Sequence, residues 1–444
     1  MSALLPDDVL AVVLGLVAPR DLAVSRSLLP RSLAGLLITY QGRDITEFFA
    51  RPSVAAAGGG CSGGKRDFLA DGSEIDSWSE VQDHCNGFLL TELHDERALC
   101  DHVHVLNQAT GWRAPVPLLP QQQRRHYRNA CYLAYDPSVS QHYRTRSCRS
   151  RASSATTGAT LCLHRYGRRC VLRVFSSVTG RWEERPFVRV GEGAGASVAD
   201  MRRYGTCDHR YAVYRRGRLY IHCQTDFVMR ISLSNGTYQV IKPPAGAKRF
   251  YLGKSGKGVY CASITHGTDR YRKIVRVWIL NENETRSPLE WVLKHDQDIL
   301  PLLRKHKLEA PGFYYKQQVP GPWVLLNINY YYDEDVNIKG PNIKGLVKEE
   351  FEWSSDASDD ETTSERSVDS DDGYFYCGYF QILGFHPYKE IVFLCQSQRR
   401  GLAYHLNSST LQELGNIYPE DYDYDQLPNE QNIDSSFPYT PCWI

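Results

Sequence analysis

The chain has 444 residues, 42% of them hydrophobic, enough for one large domain with appendages. Its formal net charge of +1 excludes a general polyanion binder and an acidic solvating protein. No run of about 18 apolar residues occurs and the N-terminus lacks a basic leader pattern, so neither a membrane span nor a signal peptide is expected.

Residues 5–26, "LPDDVLAVVLGLVAPRDLAVSR", predict a pair of short helices. Pro6 suits a first turn, and Asp7 and Asp8 suit the positive end of a helix dipole. Leu10, Val13, Leu14 and Val17 then recur on one helical face until Pro19 stops the helix, and a shorter turn runs through Leu22 and Val24. Residues 28–65 read as a connecting segment that ends in the small-residue linker "SVAAAGGGCSGG" (53–64).

From 66 to 444, short runs rich in Val, Ile, Tyr and Phe predict half-buried strands between turn signals. One unit recurs: a strand ends in a turn and an aromatic opens the next strand, at Trp112, Trp182, Tyr238 and Trp291, with a weaker version in "LNSSTLQELG" (406–415). Trp182 and Tyr238 are 56 residues apart, and Tyr238 and Trp291 are 53 apart. That period is close to the roughly 50 residues of a kelch-type blade. Small sheets that cannot bury both faces alone stack radially, so a mainly β, kelch-like propeller of five or six blades is expected over a large sandwich or two small β domains.

Two insertions are charged. Residues 124–173 hold eleven Arg and one acid, Asp136, and residues 351–372 hold nine acids and one Arg. Both lack the apolar residues that would offset ordering entropy, so an Arg-rich loop at 141–160 and an acidic loop at 351–372 are predicted. Ser358 and Thr362 each precede an acid three positions on, the pattern acidophilic kinases accept, and any effect of phosphate there would come through a basic partner. Thirteen cysteines without a C-x-x-C pair favour a reducing compartment, cytoplasmic and/or nuclear.

No motif carries catalysis. "GGCSGGK" (59–65) imitates a phosphate-binding loop, but Arg66 stands where a magnesium-binding hydroxyl belongs and no helix follows. Cys100, His102 and His104 share a strand face without a second ligand pair at zinc-like spacing. His84 and Cys85 are strand neighbours that point to opposite faces, and Glu349 and Glu350 read as solvated charge. No metal, no cofactor and no enzymatic activity are expected. Nucleic acid is not expected as a partner, because the Arg-rich stretch lacks interleaved aromatics.

Residues 5–26 resemble the first half of an F-box, which begins Leu-Pro-acid-acid and passes through a Pro-x-x-Leu step to an Arg. "LLPRSLAGLLITY", "FFARP", "HCNGFLLTEL", "VLNQATGWRAPVP" and the terminal "SFPYTPCWI" are similar to grass-type plant F-box proteins with an F-box-associated propeller. The resemblance implies a partial F-box at 1–27 ahead of a propeller at 66–444. It implies a non-catalytic substrate-recognition subunit of a Skp-cullin-F-box ubiquitin ligase. Its Skp-type adaptor, and through it a cullin scaffold, would be held by Leu5, Pro6, Val9, Leu10, Val13, Leu14, Pro19, Leu22 and Val24. The propeller would bind a target protein. The F-box pattern departs after Arg26, where the second-half helices have no counterpart, so a stand-alone binding module that has lost adaptor recruitment is the alternative.

Overall fold

The computed structural model describes residues 33–40, 46–51, 77–95, 100–110, 112–117, 129–136, 142–149, 169–193, 211–223, 227–245, 247, 250–266, 272–282, 289–310, 319–327, 375–419 and 433–442. Within them the chain is mainly β, with one short helix. No helix among them is long and apolar enough to cross a membrane. The expected helices of 5–26 lie outside the described residues.

The strands assemble as six four-stranded antiparallel units. The first joins distant parts of the chain: β1 (Gly35–Tyr40) lies between β2 (Thr46–Ala50) and the C-terminal Ile433–Tyr439, and Val324–Asn327 adds the fourth strand beside β2. The second is a meander of β3 (Ser77–Cys85), β4 (Phe88–Asp95), β5 (Cys100–Asn107) and β6 (Trp112–Val116). The third contains β7 (Asn129–Ala134), β8 (Arg144–Arg149), β9 (Arg169–Ser176) and β10 (Arg181–Arg189). The fourth contains β11 (Ala212–Arg215), β12 (Arg218–Cys223), β13 (Phe227–Ser232) and β14 (Thr237–Ile241). The fifth runs through β15 (Tyr251–Ser255), β16 (Gly258–His266), β17 (Lys273–Asn281) and β18 (Glu290–Asp298). It is followed by helix α1 (Leu300–Lys305) and by β19, the Val324–Asn327 strand. The sixth is β20 (Phe380–Phe385), β21 (Ile391–Gln396), β22 (Arg400–His405) and β23 (Thr410–Asn416), before β24 (Ile433–Tyr439) returns to the first.

Strands β3, β7, β11, β15, β20 and β24 each touch the next and β24 touches β3, which makes a propeller-like ring with these six innermost. The aromatics that mark the sequence repeat open the outermost strands. Trp112, Trp182, Tyr238 and Trp291 sit opposite Asn107, Phe175, Ile231 and Leu280, and in the weaker sixth unit Leu411 takes that place opposite Tyr404. Two of them staple a unit to its predecessor. The Trp182 indole N–H donates to the Pro117 carbonyl at 2.6 Å, and the Trp291 indole N–H donates to Lys242 at 3.0 Å. Units three and four go further: β10 and β14 pair in parallel at Val188–Thr237 and Arg189–Tyr238, which partly covers two sheet edges.

The ring begins earlier than the sequence suggested. Residues 35–50 fall in the expected connecting segment, yet β1 is buried along its whole length and pairs with β24 from Gly35–Tyr439 to Tyr40–Ile433. A strand covered on both faces has no period-two signature, so "GLLITY" gives no local cue to its role. Part of the expected Arg-rich loop is also strand. Arg144–Arg149 forms β8 between β7 and β9, where backbone pairing overrides side-chain composition; residues 150–160 lie outside the described ones, as does 351–372. Cys170 is disulfide-bonded, a bridge the reading of a reducing environment does not anticipate, while Cys85, Cys131, Cys223, Cys261, Cys377, Cys395 and Cys442 are free.

Candidate functional site

Because units two to six are antiparallel meanders, connections within them alternate between the two ends of the ring. The C-terminal ends of the inner strands gather at one end, held together by hydrogen bonds between units. Asn86 Nδ2 donates to the Tyr135 carbonyl at 2.6 Å, and Lys254 Nζ donates to Asn86 Oδ1 at 2.9 Å. Ser255 Oγ donates to the Lys389 carbonyl at 3.1 Å, and Asn107 Nδ2 to that of Cys442 at 2.8 Å. Charge follows the same rim. Arg215 pairs with Glu282, which also accepts from the Tyr220 hydroxyl, and Lys257 pairs with Glu390 at 2.9 Å. Tight turns let the rim close: Asn86 and Gly87 have φ of 49° and 87°, and Arg216 and Gly217 have 48° and 74°. The opposite end carries the connections that hold both charged insertions, 150–168 between β8 and β9 and 328–379 between β19 and β20.

Side chains fill the axis between these ends. The Tyr211 and Tyr251 rings lie 3.9 Å apart, His84 meets Phe437 at 5.2 Å, and the Tyr251 hydroxyl donates to the Ser436 carbonyl at 3.0 Å. Lys254, from the fifth unit, crosses the ring to reach Asn86 in the second. Asp83 is buried beside them and accepts the Leu133 N–H at 2.7 Å, bracing the second unit to the third. Burial pushes its carboxyl up to about 7, against the pull of the Leu133 and His84 amides and of Lys254. Burial also pulls the His84 imidazole down to about 3, aided by the Lys254 charge, and raises the Cys85 thiol to about 11. A thiol so raised is held away from its nucleophilic form. His84 and Cys85, adjacent in sequence, are thus absorbed separately into the core: Cys85 Sγ sits 3.1 Å from the Tyr135 carbonyl, and His84 packs at a tilt against Phe437.

The remaining sequence candidates divide as follows. Cys100, His102 and His104 do share strand β5, with His102 exposed and its ring centroid 6.4 Å from that of His104. Among the described residues no group of three His, Cys, Asp or Glu could hold a metal ion. Leu5, Pro6, Val9, Leu10, Val13, Leu14, Pro19, Leu22 and Val24 lie outside the described residues, as do Ser358, Thr362, Glu349, Glu350 and "GGCSGGK". Sequence reasoning missed Asp83, Tyr251 and Lys254, which meet only when units two and five face each other. A lone Asp in the apolar-alternating run "VQDHCNGFLL" was the available signal for the first.

The chain matches no known protein family and no curated protein. Among solved structures it is similar to a chain of the mitotic checkpoint complex, with TM-score 0.30 and 9% identity over 76% of this chain and 80% of that one. The computationally designed Ika8 protein gives TM-score 0.30 and 10% identity over 87% and 88%. The tricorn protease gives 0.29 and 12% over 78% of this chain and 32% of its own. Likeness at this level fixes neither fold nor function.

Proposed function

We propose that the protein is a non-catalytic substrate-recognition subunit of a Skp-cullin-F-box-type ubiquitin ligase, built on a kelch-like, F-box-associated propeller. The observation that carries this reading is a ring with a packed axis and long connections concentrated at one end. Loops displayed on a rigid scaffold are the usual architecture of a binding surface. The apolar residues of 5–26, whose sequence resembles half an F-box, are the recruiting element in this reading. Burying five or six aliphatic side chains there at ~1.5–3 kcal/mol each gives ample gross energy for an adaptor before association costs. Capture by a Skp-type adaptor in a pulldown is the test. Leu10→Asp with Leu14→Asp abolishes it if the reading is right, and unchanged capture refutes it.

A second reading, a binding module without ligase recruitment, has its own support. Ala34 already donates its N–H to the Tyr439 carbonyl at 2.9 Å, and Leu33 packs on the core beside β1. Only residues 27–32 then separate Arg26 from the ring, too few for the further helices of a full F-box. Under this reading, the wild-type chain is not captured, and fusing a complete F-box ahead of residue 33 creates capture.

A further inference from the structure

The segment 351–372 carries nine acids and one Arg, and a cationic turn stands where the chain rejoins the ring. Helix α1 ends in Arg304 and Lys305, and His306 and Lys307 follow; all four are exposed. Leu303, fully buried, anchors the turn, and Leu308 returns its N–H to the Leu303 carbonyl at 2.8 Å. Lys307 takes a φ of 53°, which reverses the chain at once and keeps the cations on one knuckle. Among the described residues none of Arg304, Lys305, His306 and Lys307 is in an ion pair; the acids nearest in sequence are Asp298, which faces Arg272 at 4.0 Å, and the exposed Glu309. The Arg304 guanidinium lies 5.8 Å from the Phe375 ring, and the Ala310 N–H donates to the Tyr376 carbonyl at 2.8 Å. Asp371 and Asp372 thus precede, by four and three residues, a ring that the knuckle already touches.

We infer that the Arg304–Lys307 knuckle is the docking surface for the chain's own 351–372 segment. Charge complementarity is direct, nine acids and one Arg against this cationic turn. Three residues of chain span at most ~10 Å, so the nearest carboxylates cannot leave the knuckle's vicinity. A tether that short raises their effective concentration to about the millimolar range, which favours this site over any untethered anion. The rival cationic partner, the Arg-rich stretch, belongs to the third unit, opposite the sixth unit that Phe375 leads into. Phosphate at Ser358 or Thr362 adds about −1.5 to −2 charge each and tightens the same contact. In that transfer the γ-phosphoryl of ATP passes to the hydroxyl oxygen, with ADP leaving and the hydroxyl proton released. The inference is independent of the ligase reading and survives its failure.

Zero-length carbodiimide cross-linking of the full chain, followed by peptide mapping of the monomeric band, tests it. The expected products join Lys305 or Lys307 to carboxylates of 351–372. Their yield falls about fivefold or more in 0.5 M NaCl, where screening shortens the reach of the knuckle's field. It rises about twofold after treatment with an acidophilic kinase. In the variant Lys305→Gln with Lys307→Gln, those products disappear and far-ultraviolet circular dichroism is unchanged. Cross-links from 351–372 that map to other lysines, appear only in dimers, or do not form in the wild type overturn the inference. So does a yield that phosphate leaves unchanged or lowers.

Discussion

At one end of the ring, strands within a unit are joined by two to nine residues, and at the other end the connections run from three to fifty-two. The short end spends its sequence on mutual restraint. Asn86, Asn107, Lys254 and Ser255 each reach a backbone or side chain of another unit. The long end has contacts between units as well, Gln381 Nε2 donating to the Ile433 carbonyl at 2.7 Å, but its connections lie beyond antiparallel ladders that have already set the register. Insertions of extreme composition are tolerated there, since lengthening a surface loop costs only about 0.6 kcal/mol per doubling. Rigidity and variability are thereby divided between two ends of the same strands.

The sharpest way to break this division is at Gly87. Its φ of 87° disfavours any side chain, and a Cβ there would stand 2.4 Å from Cys442 Cβ and 2.6 Å from its backbone nitrogen. Gly87→Val is expected to cost roughly 3 kcal/mol or more, read as a lowered denaturation midpoint. Ten Gly/Ser residues inserted after Ser358 are expected to cost less than about 1 kcal/mol in the same assay. Equal losses would erase the distinction between the ends.

The axis gives the next effect. Burial pushes the Asp83 carboxyl up from the ordinary 3.8 to about 7, so it supports the fold fully below pH 4 and loses that support as pH rises through 7. His84 has the opposite sign: its support is present above 6.5 and is lost as pH falls toward 3. In the wild type the two slopes oppose each other between pH 4 and 6.5. Asp83→Asn keeps an acceptor for the Leu133 N–H and removes one slope. It is expected to stabilise the protein at pH 8, by about 2 kcal/mol, and to expose a steady loss of stability on acidification, measured by urea denaturation across pH.

Smaller effects refine the picture. Tyr251→Phe leaves the buried Ser436 carbonyl without its donor and is expected to cost about 1 kcal/mol by thermal denaturation. Trp182→Phe keeps a ring against Phe175 while removing the staple to Pro117 and is expected to cost about 0.5 kcal/mol. A reversed order would mean that the units are held from the rim of the blades and not from the axis.

The repeat was legible because the aromatic after the turn occupies the same place in units two to five, the start of the outermost strand. Spacing alone therefore reported the blades at Trp182, Tyr238 and Trp291. The first unit was illegible for a different reason. Its four strands come from residues 35–40, 46–50, 324–327 and 433–439, and no local pattern links them. β8 was hidden by its arginines, since composition argues for solvation while the ladder to β7 and β9 is made by the backbone. The axis was hidden by distance, with Asn86 and Lys254 separated by 168 positions.

The seam between β1 and β24 has a consequence for biosynthesis. On the ribosome, β1 is made early, yet its partner strand is not complete until Tyr439 has cleared the exit tunnel. Throughout elongation the β24-facing edge of an apolar strand must wait unpaired while β2 holds its other edge, a natural client for chaperones, and a chain that stops before residue 433 would leave the circle permanently open.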